Sequence, residues 1–168
     1  MLAETDITTL AFNPFEKIGK DWALLAAGDK EKFNSMTISW GYMGVMFNKP
    51  VFTTVVRPQR YTKEFIDNGD LFTISFFEKD YKKTLSFLGS NSGRDVDKQN
   101  VEGLTPDFSD GVVKFEEASL VLVCKKLFAM EMKPEDFFDK DVALQNYPNK
   151  DFHTFYTGEI IKAYRKFD

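Results

Sequence analysis

Period-two alternation of apolar and polar residues recurs along this chain and predicts many short strands. Trp22 to Gly28 reads as a strand closed by a turn at Gly28-Asp29-Lys30, and Asn34 to Trp40 as its hairpin partner across a longer loop. In the second strand Asn34, Met36, Ile38 and Trp40 share one face, and Ser35, Thr37, Ser39 and Gly41 share the other. Pro50 opens a β-branched run over Val51 to Val56, and Leu71 to Phe77 is a further strand. Phe115 to Met130 is the longest β-prone stretch, with Ala118, Leu120, Leu122 and Cys124 on one face. Phe152 to Ile161 is the last strand, opened by His153.

Helical signals are short. Thr62 to Asn68 has Thr62 as candidate N-cap and Asn68-Gly69 as stop. Tyr81 to Phe87 carries Leu85 and Leu88 at helical spacing, and Gly89 to Gly93 breaks it. Pro134 to Phe138 starts a short helix with acids at its positive end. Many strands with short connections and small helices predict an α+β, mainly β barrel. No linker or repeat divides residues 1–168, so one domain is expected.

Composition narrows the function classes. A net charge of −4 gives no reason to expect nucleic acid or an anionic membrane as partner. No apolar run reaches membrane-spanning length, and the N-terminus lacks a secretory pattern, so a cytoplasmic location is expected. One Cys and one His, Cys124 and His153, cannot build a structural zinc site. P-loop, dinucleotide-fold and nucleophile-elbow motifs are absent. Cys124 lies in an apolar strand, which predicts an inert buried thiol.

Three segments and one residue carry candidate chemistry. The small hydroxylated face of Asn34–Trp40 leaves backbone accessible to a flat polar molecule, or is a solvated edge. Arg57-Pro58-Gln59-Arg60-Tyr61-Thr62 offers guanidinium, hydroxyl and helix-start N–H groups to a phosphate, or is a surface turn. Ser92, Gly93, Arg94 and Lys98 lie in a loop that reads as an anion contact or as an ordinary exposed loop, with Gly93 permitting a positive-φ turn. His153, the one side chain whose unperturbed pKa lies near neutrality, stands among aromatics as a hydrogen-bonded packing residue or as a catalytic group.

Taken in order, these segments resemble the flavin reductase-like, FMN-binding split-barrel family, in particular its flavoredoxin branch. The resemblance spans Trp22–Asp29, Phe33–Gly41, Arg57–Thr62, Ser92–Lys98 and His153–Ile160. It implies a homodimer of split β-barrels, each holding one FMN near the subunit interface, with FAD the less favoured flavin. It places Asn34, Ser35, Met36, Thr37, Ile38, Ser39 and Trp40 along the isoalloxazine. Arg57, Tyr61 and Thr62, with Arg60, would hold the phosphate. Ser92, Gly93 and Lys98 belong to a loop closing over the cofactor, and His153 lies on the flavin and reductant side. NADH or NADPH is the implied reductant, and a redox protein the implied partner if the chain is an electron carrier. Many relatives carry a cysteine just before the loop glycine. Here Phe87-Leu88 precede Gly89, so a thiol redox role there is out.

Overall fold

The computed structural model describes residues 1–167 and is built on one antiparallel sheet of eight strands. Strand β1 is Leu2–Thr5, and a helical turn at Pro14–Glu16 (α1) runs into a wider π-type turn over Lys17–Asp21. Strands β2 (Ala23–Gly28) and β3 (Phe33–Ile38) form the expected hairpin. Strand β4 (Gly41–Met46) pairs with β5 (Lys49–Val56) across a tight turn in which Phe47 and Asn48 have φ of 55° and 57°. Helix α2 (Thr62–Asn68), strand β6 (Leu71–Phe76) and helix α3 (Lys82–Ser90) follow. A two-stranded ribbon of β7 (Pro106–Asp107) and β8 (Lys114–Phe115) precedes β9 (Leu120–Glu131). Helix α4 (Lys140–Asn146) leads to β10 (Thr154–Lys166).

The strand order is β3-β2-β6-β9-β10-β5-β4, with β1 on the far half of β10. Consecutive strands β3 and β4 therefore end the path on opposite sides, and the curled sheet is a barrel split between them. One apolar cluster fills its interior, with Leu25, Met36, Ile38, Phe52, Phe72, Ile74 and Leu122 fully or nearly fully buried. A second cluster, including Leu24, Leu85, Leu88, Phe115 and Val121, packs α3 and the ribbon against the outer face. Both faces of β2, β6 and the first half of β9, Leu120 to Cys124, are covered, which explains their near-continuous apolar runs. Among the described residues no helix is long and apolar enough to cross a membrane.

Four local expectations change. Trp22 precedes β2 with φ 68°, outside the strand. Thr62 is the first helical residue of α2, not its cap: its hydroxyl accepts from Asn34 Nδ2 at 2.8 Å and is unavailable to the helix start. Helix α3 continues through Gly89, because the missing side chain lets the helix lie on Thr37; an added Cβ would sit 3.1 Å from Thr37 Cβ. The Phe115–Met130 stretch is interrupted at residues 116–119, where Ala118 N–H turns back onto Phe115 O.

Candidate functional site

The split positions the candidate residues. Among the described residues strand β3 pairs only with β2, so alternate backbone groups along its free edge face outward. Its hydroxylated face is not the open surface the alternation implies. Helix α3 covers it: Thr37 Oγ1 donates to Leu85 O, and Ser35 is 1% exposed with its Oγ lacking a hydrogen-bond partner. Met36 and Ile38 point into the barrel interior. The strand ends at Ile38, and Ser39 and Trp40 are exposed in the link to β4.

At this end a shallow cavity of about 150 Å³ is lined by Met36, Thr37, Ile38, Ser39, Trp40, Val55, Arg57, Arg60 and His153. Two of the predicted segments and the histidine thus meet in space. A second cavity, of about 450 Å³, starts further back along β3. Lys32, Asn34, Tyr61, Gly93, Arg94 and Lys98 contribute to its lining. Asn34 ties the segments together, donating to Thr62 Oγ1 while Gly93 packs directly on its amide. Gly93 is needed for space here, since its φ is not in the positive region the loop reading invoked. Ser92 Oγ accepts from Arg94 N at 3.2 Å and shapes that loop.

The charges are unevenly matched. Arg57 pairs with Asp151 at 2.7 Å, donates to Asn146 O, and lies over the Tyr147 ring. Arg94 pairs with Glu64 and stacks on Tyr61, 4.6 Å from the ring centroid. Arg60 is different: its recorded partner is a neutral carbonyl, Gly89 O, at 3.1 Å. Lys98 is 5% exposed and donates to Ser35 O at 3.0 Å and Leu88 O at 2.7 Å. Neither Arg60 nor Lys98 has a carboxylate partner among the described residues. Burial, and then the repulsion of Arg60, lower the Lys98 ammonium to about 8. Arg60 lines the first cavity and Lys98 the second, so each cavity holds a cation without a carboxylate partner.

His153 is 8% exposed and lies just before β10. Its ring is 5.3 Å from that of Trp40, and its Nδ1 is 2.7 Å from Tyr147 Oη. Burial first, and then the Arg57 charge, push its pKa down to about 4. The imidazole is therefore a neutral hydrogen-bonding group near pH 7. Asp151, held well below the usual carboxylate range by Gln59 and Arg57, completes this corner. Tyr147 and Asp151 were not legible as site residues: Tyr147 to Asp151 reads only as a Pro-Asn loop. Cys124 is fully buried, and burial raises its thiol beyond the physiological range, as an inert thiol requires.

The comparisons agree with this architecture. A flavoredoxin from Methanosarcina acetivorans superposes with a TM-score of 0.68 at 25% identity, over 87% of this chain and 68% of that one. An FMN-binding protein from Thermus thermophilus, with bound p-hydroxybenzaldehyde, gives 0.67 at 19% identity over 96% and 81%. The styrene monooxygenase flavin reductase of Pseudomonas putida S12 gives 0.62 at 14% identity over 85% and 78%. No curated protein matches the sequence. The profile described as "Flavin reductase like domain" matches residues 15–166, nearly the whole chain, and the protein belongs to that family.

Proposed function

We propose that this chain binds FMN across the barrel split and acts as an oxidoreductase that accepts electrons from NADH or NADPH. The observation that carries the reading is two cations without a carboxylate partner, Arg60 in the cavity at the end of β3 and Lys98 in the cavity further back along that strand. A phosphate would satisfy cations of this kind. The donor set therefore fits a phosphate-tailed ring. Arg60 and Lys98 neutralise the tail, with Tyr61 and Arg94 beside Lys98 in the second cavity. Main-chain groups from Met36 to Ser39 orient the ring, and Trp40 and His153 wall its far end. Arg57, already paired with Asp151, orders that wall more than it offers free charge. FMN held there would supply hydride and electron transfer, the protein contributing binding, orientation and electrostatics.

The cavity along Met36–Trp40 is too shallow to enclose a tricyclic ring, so its outer wall must come from elsewhere. A second copy of the chain fits this need. In the isolated chain Trp40, Tyr42, Val45, Phe47, Phe128 and Met130 are exposed by 45%, 54%, 82%, 58%, 45% and 48%. Exposed large apolar side chains on and beside β4 and on late β9 support a subunit interface there. Light scattering of the pure protein is expected to give twice the 19.4 kDa chain mass. A mass of one chain would remove the dimer and leave the ring without its outer wall.

The principal test is titration of the protein with FMN, then anaerobic mixing with NADH and NADPH. Tight binding and rapid bleaching of the flavin's visible absorbance are expected. The similarity to a flavoredoxin favours one alternative, an FMN-bearing electron carrier without a nicotinamide site. In that case FMN binds but neither nucleotide bleaches it. Failure to retain FMN sinks both readings.

A further inference from the structure

We infer that Gly89 is a positioning residue. By letting the last turn of α3 lie directly on Thr37, it fixes its own carbonyl where that carbonyl aims the Arg60 guanidinium at the phosphate end of the flavin.

The last carbonyls of a helix have no partner within it and must be satisfied from outside. In α3, Phe87 O accepts from the backbone N–H and the Nδ2 of Asn91, so the adjoining chain closes that group. The next two carbonyls are taken by cations brought from elsewhere in the fold. Leu88 O accepts from Lys98 Nζ at 2.7 Å, and Gly89 O accepts from Arg60 Nη1 at 3.1 Å. Lys98 comes from the loop after α3 and Arg60 from the turn before α2.

This seating explains how two cations stand without an acid. The C-terminal end of a helix carries partial negative charge, which favours a cation without cancelling it. The acids of this corner are engaged elsewhere, Asp151 with Arg57 and Glu64 with Arg94. A guanidinium presents its N–H donors in a rigid fork. Arg60 gives Nη1 to Gly89 O and keeps its remaining donors for the cavity it lines.

The fork is aimed only if Gly89 O is itself fixed. Thr37, on β3, pairs with Leu24 and donates its hydroxyl to Leu85 O, one turn before Gly89. At Gly89 helix and strand approach so closely that an added Cβ would lie 3.1 Å from Thr37 Cβ. Gly89 is not among the glycines with positive φ, so it is here for space and not for backbone freedom. Leu88 beside it is fully buried in the outer apolar cluster, so the helix cannot roll aside. A side chain at position 89 therefore lifts the last turn off the strand. The Arg60 bond is already near the long end of the N–H···O range, so Arg60 either follows the carbonyl or loses it. Both outcomes turn the fork away from the anion.

The inference rests on the flavin reading above, and riboflavin, which has the ring and ribityl chain of FMN but no phosphate, tests it. Both flavins are titrated into the parent protein, Gly89→Ala, Arg60→Met and the double variant. Alanine is the better helix former, so Gly89→Ala tests the contact and not the helix. The parent is expected to prefer FMN. Gly89→Ala weakens FMN binding roughly fivefold or more, about the worth of one hydrogen bond, and leaves riboflavin binding unchanged. Adding Arg60→Met to Gly89→Ala costs less than Arg60→Met costs in the parent, because both act through one contact. Equal weakening of the two flavins makes Gly89 a packing residue and overturns the proposal, as does an additive double variant. Should Gly89→Ala not fold, Arg60→Lys decides. It keeps the charge, but one ammonium on a shorter stem cannot span from Gly89 O to the anion as the fork does, so the preference for FMN falls. A full preference in Arg60→Lys overturns the proposal. A parent protein that binds neither flavin removes the flavin reading and this inference with it. One that binds FMN with its preference untouched by Gly89→Ala removes this inference alone.

Discussion

Replacing Lys98 by methionine is expected to weaken FMN binding at least tenfold near pH 7 and to remove its decline in alkaline solution. In the ligand-free chain the ammonium is destabilised by burial and by Arg60, with a pKa of about 8. A phosphate beside it favours the protonated form, so the pKa rises on binding. Above about pH 8 the free lysine is largely neutral and binding must take up a proton. Affinity then falls with pH, by up to about tenfold per unit while the free side chain is neutral and the bound one charged. The phosphate is already fully ionised there, because its second pKa is near 6, so it adds no slope of its own. Calorimetry in two buffers of different ionisation enthalpy measures the proton uptake directly. Lys98→Met abolishes that uptake and forfeits a charge-assisted contact of roughly 1.5–3 kcal/mol.

The same shift bears on folding. The folded pKa lies below the ordinary lysine value of 10.5, so the unfolded chain binds more protons between about 8 and 10.5. Stability of the ligand-free protein therefore rises with pH across that window. An FMN affinity that is flat above pH 8 in the parent protein, or unchanged in Lys98→Met, removes Lys98 from the anion site.

Gly93→Ala is expected to damage fold and binding together. A Cβ at this position would lie 2.0 Å from Asn34 Oδ1, 2.9 Å from Asn34 Cγ and 3.0 Å from Tyr61 Cδ1. Asn34 cannot yield freely, since its amide donates to the fully buried Thr62 hydroxyl. Either that hydrogen bond breaks or the Ser92–Lys98 loop lifts away from β3. Overpacking of this kind destabilises by about 1–3 kcal/mol. A denaturant titration would show a lower midpoint with little change in slope. Adding Asn34→Ala should recover much of the stability by removing the obstructing amide, a coupling expected of residues in direct contact. It should not recover FMN affinity, because the cavity that Asn34, Gly93 and Lys98 share would stay altered. A Gly93→Ala protein as stable as its parent contradicts the close packing of loop and strand.

Strands buried on one or both faces were legible because their side chains answer to a single period. The β2–β3 hairpin, β5, β6 and β10 all follow from alternation or continuous apolar runs. Strand β4 was not, because Tyr42, Val45 and Met46 are apolar yet exposed in the isolated chain, and their pattern answers to a surface outside it. Helix α4 was missed for a related reason: none of its residues is buried, so no core-facing stripe announces it. In the site, Arg60, Tyr61 and Thr62 could be picked out because basic and hydroxyl residues cluster locally. Their differing states could not. Whether an arginine is free or committed depends on a partner such as Asp151, which lies 94 residues from Arg57. Lys98 looked like a loop charge, yet tertiary packing makes it a buried cation seated on two carbonyls. The hydroxylated face of β3 was visible as a pattern, but its cover, α3, follows from packing that alternation does not encode.

The direct link from β3 to β4 sets a dimension of the protein. Two residues, Ser39 and Trp40, join strands that terminate opposite ends of the sheet, so Ile38 and Gly41 can stand no more than about 11 Å apart. The link thus acts as a tether that caps how far the gap can open at this end: side chains along it can be exchanged to suit another guest, while that ceiling rises only by insertion in the dipeptide.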